Sequence, residues 1–154
     1  MLFFTNDIPD SNEPLYKIVG MHDEKEFEAV ALEYLAFVIK QASCGYQFAT
    51  RKANDPETLR ELDHPLYVRI RADIARGVCS ECIQVENDTP VAFLRRATSL
   101  CRKDIIRHAR DLLAFIVKQM RRRSPFYAID KTTGEKIHVI NYTLASFSEQ
   151  FFKN

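Results

Sequence analysis

Side chains that can bind anions are concentrated between Pro90 and Arg123, where ten arginines and lysines stand against two aspartates. At about 100° per residue, most of these cations project to one side of a helix. Clustered cations release condensed counterions when they neutralise phosphates, so this pattern favours nucleic acid, and an acidic protein surface is the alternative partner. The candidate polyanion-binding residues are Arg95, Arg96, Lys103, Arg107, Arg110, Lys118, Arg121, Arg122 and Arg123.

The same pattern also fits a helix face that contacts only solvent. Asp104 and Asp111 lie three or four residues from Arg107 and could pair with it. Residues 1–36 carry eight acids against two bases, and they could pack beside the cations and neutralise them. No helix-turn-helix is predicted, because the connection over residues 77–89 is much longer than the three or four residues of that motif.

The cysteines supply a second candidate site. Cys79 and Cys82 have the CxxC spacing of half a zinc site or of a redox pair, and Cys44 and Cys101 could complete a set of four thiolates. His108 cannot bind the same ion as Cys101, because seven residues of one helix separate them by about 10 Å. Cys79 and Cys82 are therefore the metal candidates, zinc is the one cofactor considered, and ordinary thiols are the alternative.

Residue pairs for nucleophilic catalysis are few. Cys44 could be activated by His22, His64 or His138, but His64 precedes a proline and His138 falls in a predicted hairpin. His108 lies on the apolar face of the basic helix, where a buried and hydrogen-bonded histidine explains it. Neither GxSxG nor HExxH nor a glycine-rich phosphate loop occurs. The sequence therefore favours a protein that is not an enzyme.

Two long helices are predicted to position these residues. An Asp23–Glu26 capping box and apolar side chains at helical spacing predict a helix over residues 24–43. Thr89-Pro90 begins a second one, which Ser124-Pro125 ends near residue 123. The apolar face of this second helix comprises Leu94, Ala97, Cys101, Ile105, His108, Ala109, Leu112, Phe115 and Ile116.

The signals between the two long helices are mixed. Residues 44–54 are predicted as a loop, and residues 55–62 as a short helix that Asp55-Pro56 would begin. Residues 66–76 alternate as a strand would. A proline just before them and a glycine just after them nevertheless favour a helix.

The clearest strand signal lies near the end of the chain. Residues 126–130 and 136–142 flank a Lys-Thr-Thr-Gly turn and predict a β-hairpin. Leu15–Gly20 is a candidate for one further strand, and Leu144–Phe152 for a short helix. The prediction is therefore an α+β fold, mainly helical, in a single domain over residues 1–154.

The chain as a whole sets the remaining expectations. Its apolar runs are far shorter than the ~20 residues that span a bilayer, so no membrane is expected. The first residues lack a basic flank and reach an acid at Asp7, which is unlike a signal peptide, so a cytoplasmic protein with reduced cysteines is expected.

Three functional hypotheses follow from these observations. The first is a binding protein that engages nucleic acid or an acidic protein surface through the basic helix. The second is an adaptor, inhibitor or assembly factor that uses apolar surface, such as Phe147–Phe152 or the seam of a homo-oligomer. The third is a zinc- or thiol-dependent protein centred on Cys79 and Cys82.

Overall fold

The structure, a computed structural model, describes residues 23–52, 55–77, 89–121, 126–130, 133–134 and 136–138. Helices and strands alternate in groups along these residues, and the predicted α+β fold is confirmed. The elements are α1 Glu24–Ser43, β1 Tyr46–Lys52, β2 Asp55–Glu61, α2 Pro65–Ala75, α3 Pro90–Thr98, α4 Arg102–Arg121, β3 Phe126–Asp130 and β4 Lys136–His138. The single-domain organisation stays a prediction.

Helix α1 is the central element, and its predicted bounds are confirmed. The backbone N–H of Glu26 donates to Oδ1 of Asp23 at 2.9 Å, as a helix cap requires. Gly45, with a φ of 100°, follows the last turn. Over residues 31–39 every side chain except Glu33 is buried. This helix is enclosed because α2, α3, α4 and β1 all pack against it.

The strands form an antiparallel sheet in the order β2-β1-β3-β4. The predictions of a loop over residues 44–54 and a helix over residues 55–62 are wrong, because these residues form the β1–β2 pair. Pro56 was expected to begin a helix, yet it lies in the edge strand β2, where a missing N–H is tolerated. Strand β1 is internal because β3, about 75 residues farther along the chain, pairs with its other side.

Phe48 of β1 joins the sheet to two helices. Its ring lies edge-to-face with Phe37 of α1 at 5.8 Å and with Tyr67 of α2 at 5.9 Å between centroids. Its backbone N–H also donates to the Tyr67 hydroxyl at 3.0 Å. Edge-to-face pairs of this kind stabilise a core by about 0.5–1.5 kcal/mol beyond the area that they bury.

The prediction for α2 is confirmed, and so is the C-terminal hairpin over residues 126–130 and 136–138, while residues 139–142 of its predicted second strand lie outside the described residues. Helix α2 starts at Pro65, and Gly77 follows its end with a φ of 74°. Strands β3 and β4 pair antiparallel, with Tyr127 opposite His138. The possible strand at Leu15–Gly20 and the possible helix at Leu144–Phe152 lie outside the described residues.

The single basic helix predicted over residues 90–123 is wrong, because the chain leaves the helical path at Ser99. This residue has a φ of 60° and a ψ of 20°, in the left-handed region. The Thr98 hydroxyl donates to the carbonyl of Leu94 at 2.6 Å and accepts from the N–H of Leu100 at 3.3 Å. A hydroxyl side chain that bonds to nearby backbone groups offers an alternative to the helical ladder. Two helices, α3 and α4, therefore replace the predicted one.

Candidate polyanion-binding surface

The α3–α4 turn, Ser99–Cys101, is fixed from both sides. Nη1 of Arg69, on α2, donates to the carbonyl oxygen of Thr98 at 3.2 Å and so satisfies the end of α3. The N–H of Ile105 donates to the carbonyl of Cys101 at 3.1 Å and begins the hydrogen bonding of α4. The turn therefore has a defined geometry, with an arginine of a third helix bonded to it.

Exposed cations lie on both sides of this turn. Arg95 and Arg96 occupy the last turn of α3, and Arg102 and Lys103 occupy the first turn of α4. Among the described residues no ion pair involves Arg95, Arg102 or Lys103. We call the following set the turn surface: Arg95, Arg96, Arg102, Lys103 and Arg107.

Arg107 is the fifth member of the turn surface, and its Nη2 lies 3.6 Å from Oδ1 of Asp104. Asp111, its other predicted partner, is half-buried, and burial raises the pKa of that carboxyl group. The Arg107 side chain is 67% exposed, and exposed pairs of this kind contribute about 0–1 kcal/mol. Arg107 can therefore exchange Asp104 for a phosphate at small cost.

Arg102 belongs to the surface although the sequence prediction omitted it. On a continuous helix Arg102 projects beside Ala109, at the border of the apolar face. Both residues lie on α4 and keep that relation, yet Arg102, as the first residue of the helix, is exposed. The signal that could have found it is the Thr98-Ser99 pair of hydroxyl residues inside an otherwise helical pattern.

Two other predicted cations face the protein rather than a partner. Nη2 of Arg110 lies 2.8 Å from Oε2 of Glu24, and the guanidinium lies 5.6 Å from the centre of the Phe27 ring. The Lys118 side chain is 5% exposed and already interacts within the protein. The prediction of a continuous ladder of outward cations is therefore wrong, because Lys118 is buried and Arg110 pairs with α1.

The last three predicted cations lie at and after the end of α4. Arg121 ends α4, and its side chain lies outside the described residues, as do Arg122 and Arg123. Among the cations predicted as one face, four are exposed in the parts of α3 and α4 that flank the turn: Arg95, Arg96, Lys103 and Arg107.

His64 has a structural role next to α4. Its Nδ1 accepts the N–H of Leu66 at 3.2 Å, so Nε2 carries the proton and donates to the His108 carbonyl at 3.1 Å. Burial lowers the pKa of His64 to about 4, and burial also lowers the pKa of His108. The neutral His64 ring caps α2 and bonds to α4, which leaves neither nitrogen available as a catalytic base.

The cysteines differ from the prediction of four reduced thiols. Cys44 is disulfide-bonded, to a partner outside the described residues, so it offers neither a zinc ligand nor a nucleophile in this state. Cys101 has a free thiol and is exposed, although it was predicted on the apolar face. The break at Ser99 explains this exposure. Cys79 and Cys82 lie outside the described residues.

A second polar cluster joins β2 to α2. The Tyr67 hydroxyl donates to Oε2 of Glu61 at 2.6 Å, and Nε of Arg71 lies 3.5 Å from the same oxygen. Burial, together with the Glu61 carboxylate, raises the pKa of Tyr67. Nε and Nη1 of Arg71 are buried without a hydrogen-bond acceptor. The cluster fixes α2 on the sheet; among the described residues Nη1 of Arg71 has no partner, whereas Nε has the Glu61 ion pair.

Comparisons with known proteins find no relative. No model of a protein family matches the chain, and no curated protein or solved structure matches it. Within the part of the chain that the structure describes, no helix has both the length and the apolar composition needed to cross a bilayer. Within that same part, no group of three or more His, Cys, Asp or Glu side chains could hold a metal ion.

Proposed function

We propose that the chain is a non-enzymatic binding protein that contacts nucleic acid through the turn surface. The observation that carries this proposal is the exposure of Arg95, Arg102 and Lys103, which have no carboxylate partner among the residues that the structure describes. Solvated cations concentrated at one place attract polyanions and release counterions when they bind phosphate. Of the other α4 cations whose side chains the structure describes, Arg110 pairs with Glu24 of α1 and Lys118 is buried, so the proposal gives neither a part in the contact.

Nucleic acid is favoured over an acidic protein because four of the five cations are arginines. The guanidinium fork matches the geometry of phosphate oxygens and forms two parallel hydrogen bonds. Carboxylates also accept this geometry, so an acidic protein is an outcome of the test below.

Two alternatives from the sequence have less support. An apolar docking surface is not found in the described part of the chain, where Val68, 47% exposed, is the one large hydrophobic residue that is exposed. Phe147–Phe152 lies outside that part, so an adaptor or a homo-oligomer that uses it stays a prediction. A zinc protein would have to bind without the Cys44 thiolate while the disulfide is intact.

The cytoplasmic location also stays a proposal, and the Cys44 disulfide opposes it. Cytosolic thiols are kept reduced, whereas disulfides persist in oxidising compartments. The test is to alkylate the thiols at the moment of cell lysis and to count the modified cysteines. The count distinguishes a cytosolic protein from one in an oxidising compartment. A fully alkylated protein would support the cytoplasm, and a protected Cys44 would contradict it.

Fluorescence anisotropy with a labelled oligonucleotide, measured over a series of salt concentrations, tests the proposed function. The logarithm of affinity should fall with the logarithm of salt at a slope of roughly −3 to −4.5, since each neutralised phosphate contributes about −0.9. The double variant R102E/K103E should bind at least tenfold more weakly. Its matched control is R60E, which reverses an exposed cation on β2 and should change affinity less than twofold.

Three results would contradict the proposal. Affinity that does not respond to salt would exclude phosphate contacts. Equal losses in R60E and in R102E/K103E would show that only net charge matters. Tighter binding of poly-glutamate than of the oligonucleotide at equal ionic strength would assign an acidic protein as the partner instead.

A further inference from the structure

We infer that α3, the α3–α4 turn and α4 form a helix-turn-helix that places the first two turns of α4 in the major groove of duplex DNA. This inference rests on the proposed function and names the kind of nucleic acid and the way it is read. The sequence predicts no such motif because the connection over residues 77–89 is too long; the break at Ser99 supplies a shorter connection, Ser99–Cys101, between α3 and α4.

The length of the connection is the first argument. A helix-turn-helix joins two helices by three or four residues, and three residues, Ser99–Cys101, separate α3 from α4. The left-handed conformation of Ser99 supplies the change of direction. Glycine is common in such turns because it adopts this conformation without strain, and Ser99 adopts it here with hydrogen bonds on either side.

The packing of the unit is the second argument. Phe93 and Leu94 of α3 are buried, as are Ile105 and Ala109 of α4, and α1 packs against both helices. The unit therefore has a third helix behind it that fixes the relative position of the other two. Arg69, bonded to the Thr98 carbonyl, adds a polar contact from α2 at the turn itself.

The distribution of exposure along α4 is the third argument. Residues 112–118 are buried, so within residues 102–118 the exposed side chains lie towards the N-terminal end of the helix. A helix with its side chains is about 10–12 Å across, which fits a major groove that is about 12 Å wide. The N-terminal residues of a second helix are those that contact base edges in this motif.

The side chains there have suitable chemistry. Arg102 and Arg107 are exposed, and arginine forms two hydrogen bonds with O6 and N7 of guanine. Lys103 provides a further donor for the same atoms. Arg95, exposed on the neighbouring helix, can contact the phosphates that border the groove. Duplex DNA is therefore favoured over a single strand, which presents no groove.

The test uses the full chain and three probes of equal length and label: a duplex selected from a random pool, the same sequence as a single strand, and poly-glutamate. The inference predicts at least tenfold tighter binding to the duplex than to the single strand. Methylation of guanine N7, which blocks the major groove, should abolish binding at specific positions of the duplex.

The variant R102Q should lose roughly 5- to 150-fold in affinity for the selected duplex and discriminate less among bases at one position. Its matched control is R76Q, an exposed arginine at the end of α2, which should leave both properties unchanged. Circular dichroism and the thermal midpoint of each variant verify that the fold is intact.

The failures are distinguishable. Equal affinity for the single strand and the duplex, or duplex binding that N7 methylation does not affect, overturns the helix-turn-helix inference and leaves the proposed function standing. A preference for poly-glutamate overturns both, as does the absence of binding to any of the three probes.

Discussion

The two ends of α4 carry the same kinds of cation in opposite surroundings. Arg102 and Lys103 at its start are exposed, whereas Lys118 near its end is buried and already has a partner. Arg110, between them, pairs with Glu24 of α1. The comparison teaches that a cationic pattern alone does not define a binding surface. The packing of α1 determines which of the cations remain available to another molecule.

The largest expected effect contrasts a core position with a surface position on this one helix. Leu112→Ala removes a fully buried side chain and should lower the free energy of unfolding by about 2–5 kcal/mol. Lys103→Ala, at the exposed end, should change it by less than about 0.5 kcal/mol. Urea denaturation of both variants measures the free energy of unfolding. Similar losses in the two variants would contradict the division of α4 into an exposed first part and a buried last part.

The next largest effect is a loss of folding stability at acid pH, caused by protonation of His64, which bonds to α4. Because burial lowers its pKa from 6.5 to about 4, the folded state binds fewer protons than the unfolded state between these values. The neutral His64 ring therefore stabilises the folded state fully above about pH 6.5. This stabilisation is lost as the pH falls towards 4, and the loss amounts to about 3 kcal/mol.

The variant His64→Asn isolates this contribution. Asparagine also caps helices through its side-chain oxygen, but it does not titrate. Urea denaturation at several pH values should therefore show a shallower loss of stability in the variant between pH 6.5 and 4. Parallel curves for the two proteins would mean that His64 is solvated, contrary to the structure.

A smaller effect tests the break between α3 and α4. Left-handed backbone costs a side-chain-bearing residue about 1–2 kcal/mol, more for a β-branched one, whereas glycine is free of that strain. Ser99→Val should therefore lower the thermal midpoint, and Ser99→Gly should leave it unchanged or raise it. If the valine variant were the more stable of the two, a continuous helix through residue 99 would be the better description.

The smallest expected effect concerns the ion pair between Arg110 and Glu24. Both side chains are partly exposed, so the pair should contribute about 0–1 kcal/mol. A double-mutant cycle with Arg110→Gln and Glu24→Gln measures the coupling energy. A value well above this range would mean that the pair is shielded from solvent, and that α1 is fixed to α4 more firmly than its exposure indicates.

Local signals in the sequence account for part of the fold. The cap at Asp23 and the apolar periodicity after it predicted α1, and the proline and glycine that flank residues 66–76 predicted α2. The Lys-Thr-Thr-Gly turn predicted the hairpin. In each case the residues that determine the element lie within the element or next to it, which is why one sequence sufficed.

The rest depends on contacts that are distant in the chain. Strand β1 is internal in the sheet because β3 pairs with it. The residues Asp55-Pro56 fit both the start of a helix and an edge strand, and only the pairing of the sheet decides between them. The break at Ser99 has no proline or glycine to signal it. For the candidate site, the sequence predicted Arg95, Arg96, Lys103 and Arg107 as outward cations. It could not predict that Arg110 would pair with Glu24 of α1 or that Lys118 would be buried.

The most direct test compares two single variants, Lys103→Gln and Arg110→Gln, in their affinity for duplex DNA over a range of salt concentrations. Each change removes one positive charge from α4. The account predicts that Lys103→Gln makes the salt slope shallower by about one unit, and that Arg110→Gln leaves it unchanged. Equal changes in the two slopes would contradict the claim that only the cations at the turn are available to a partner.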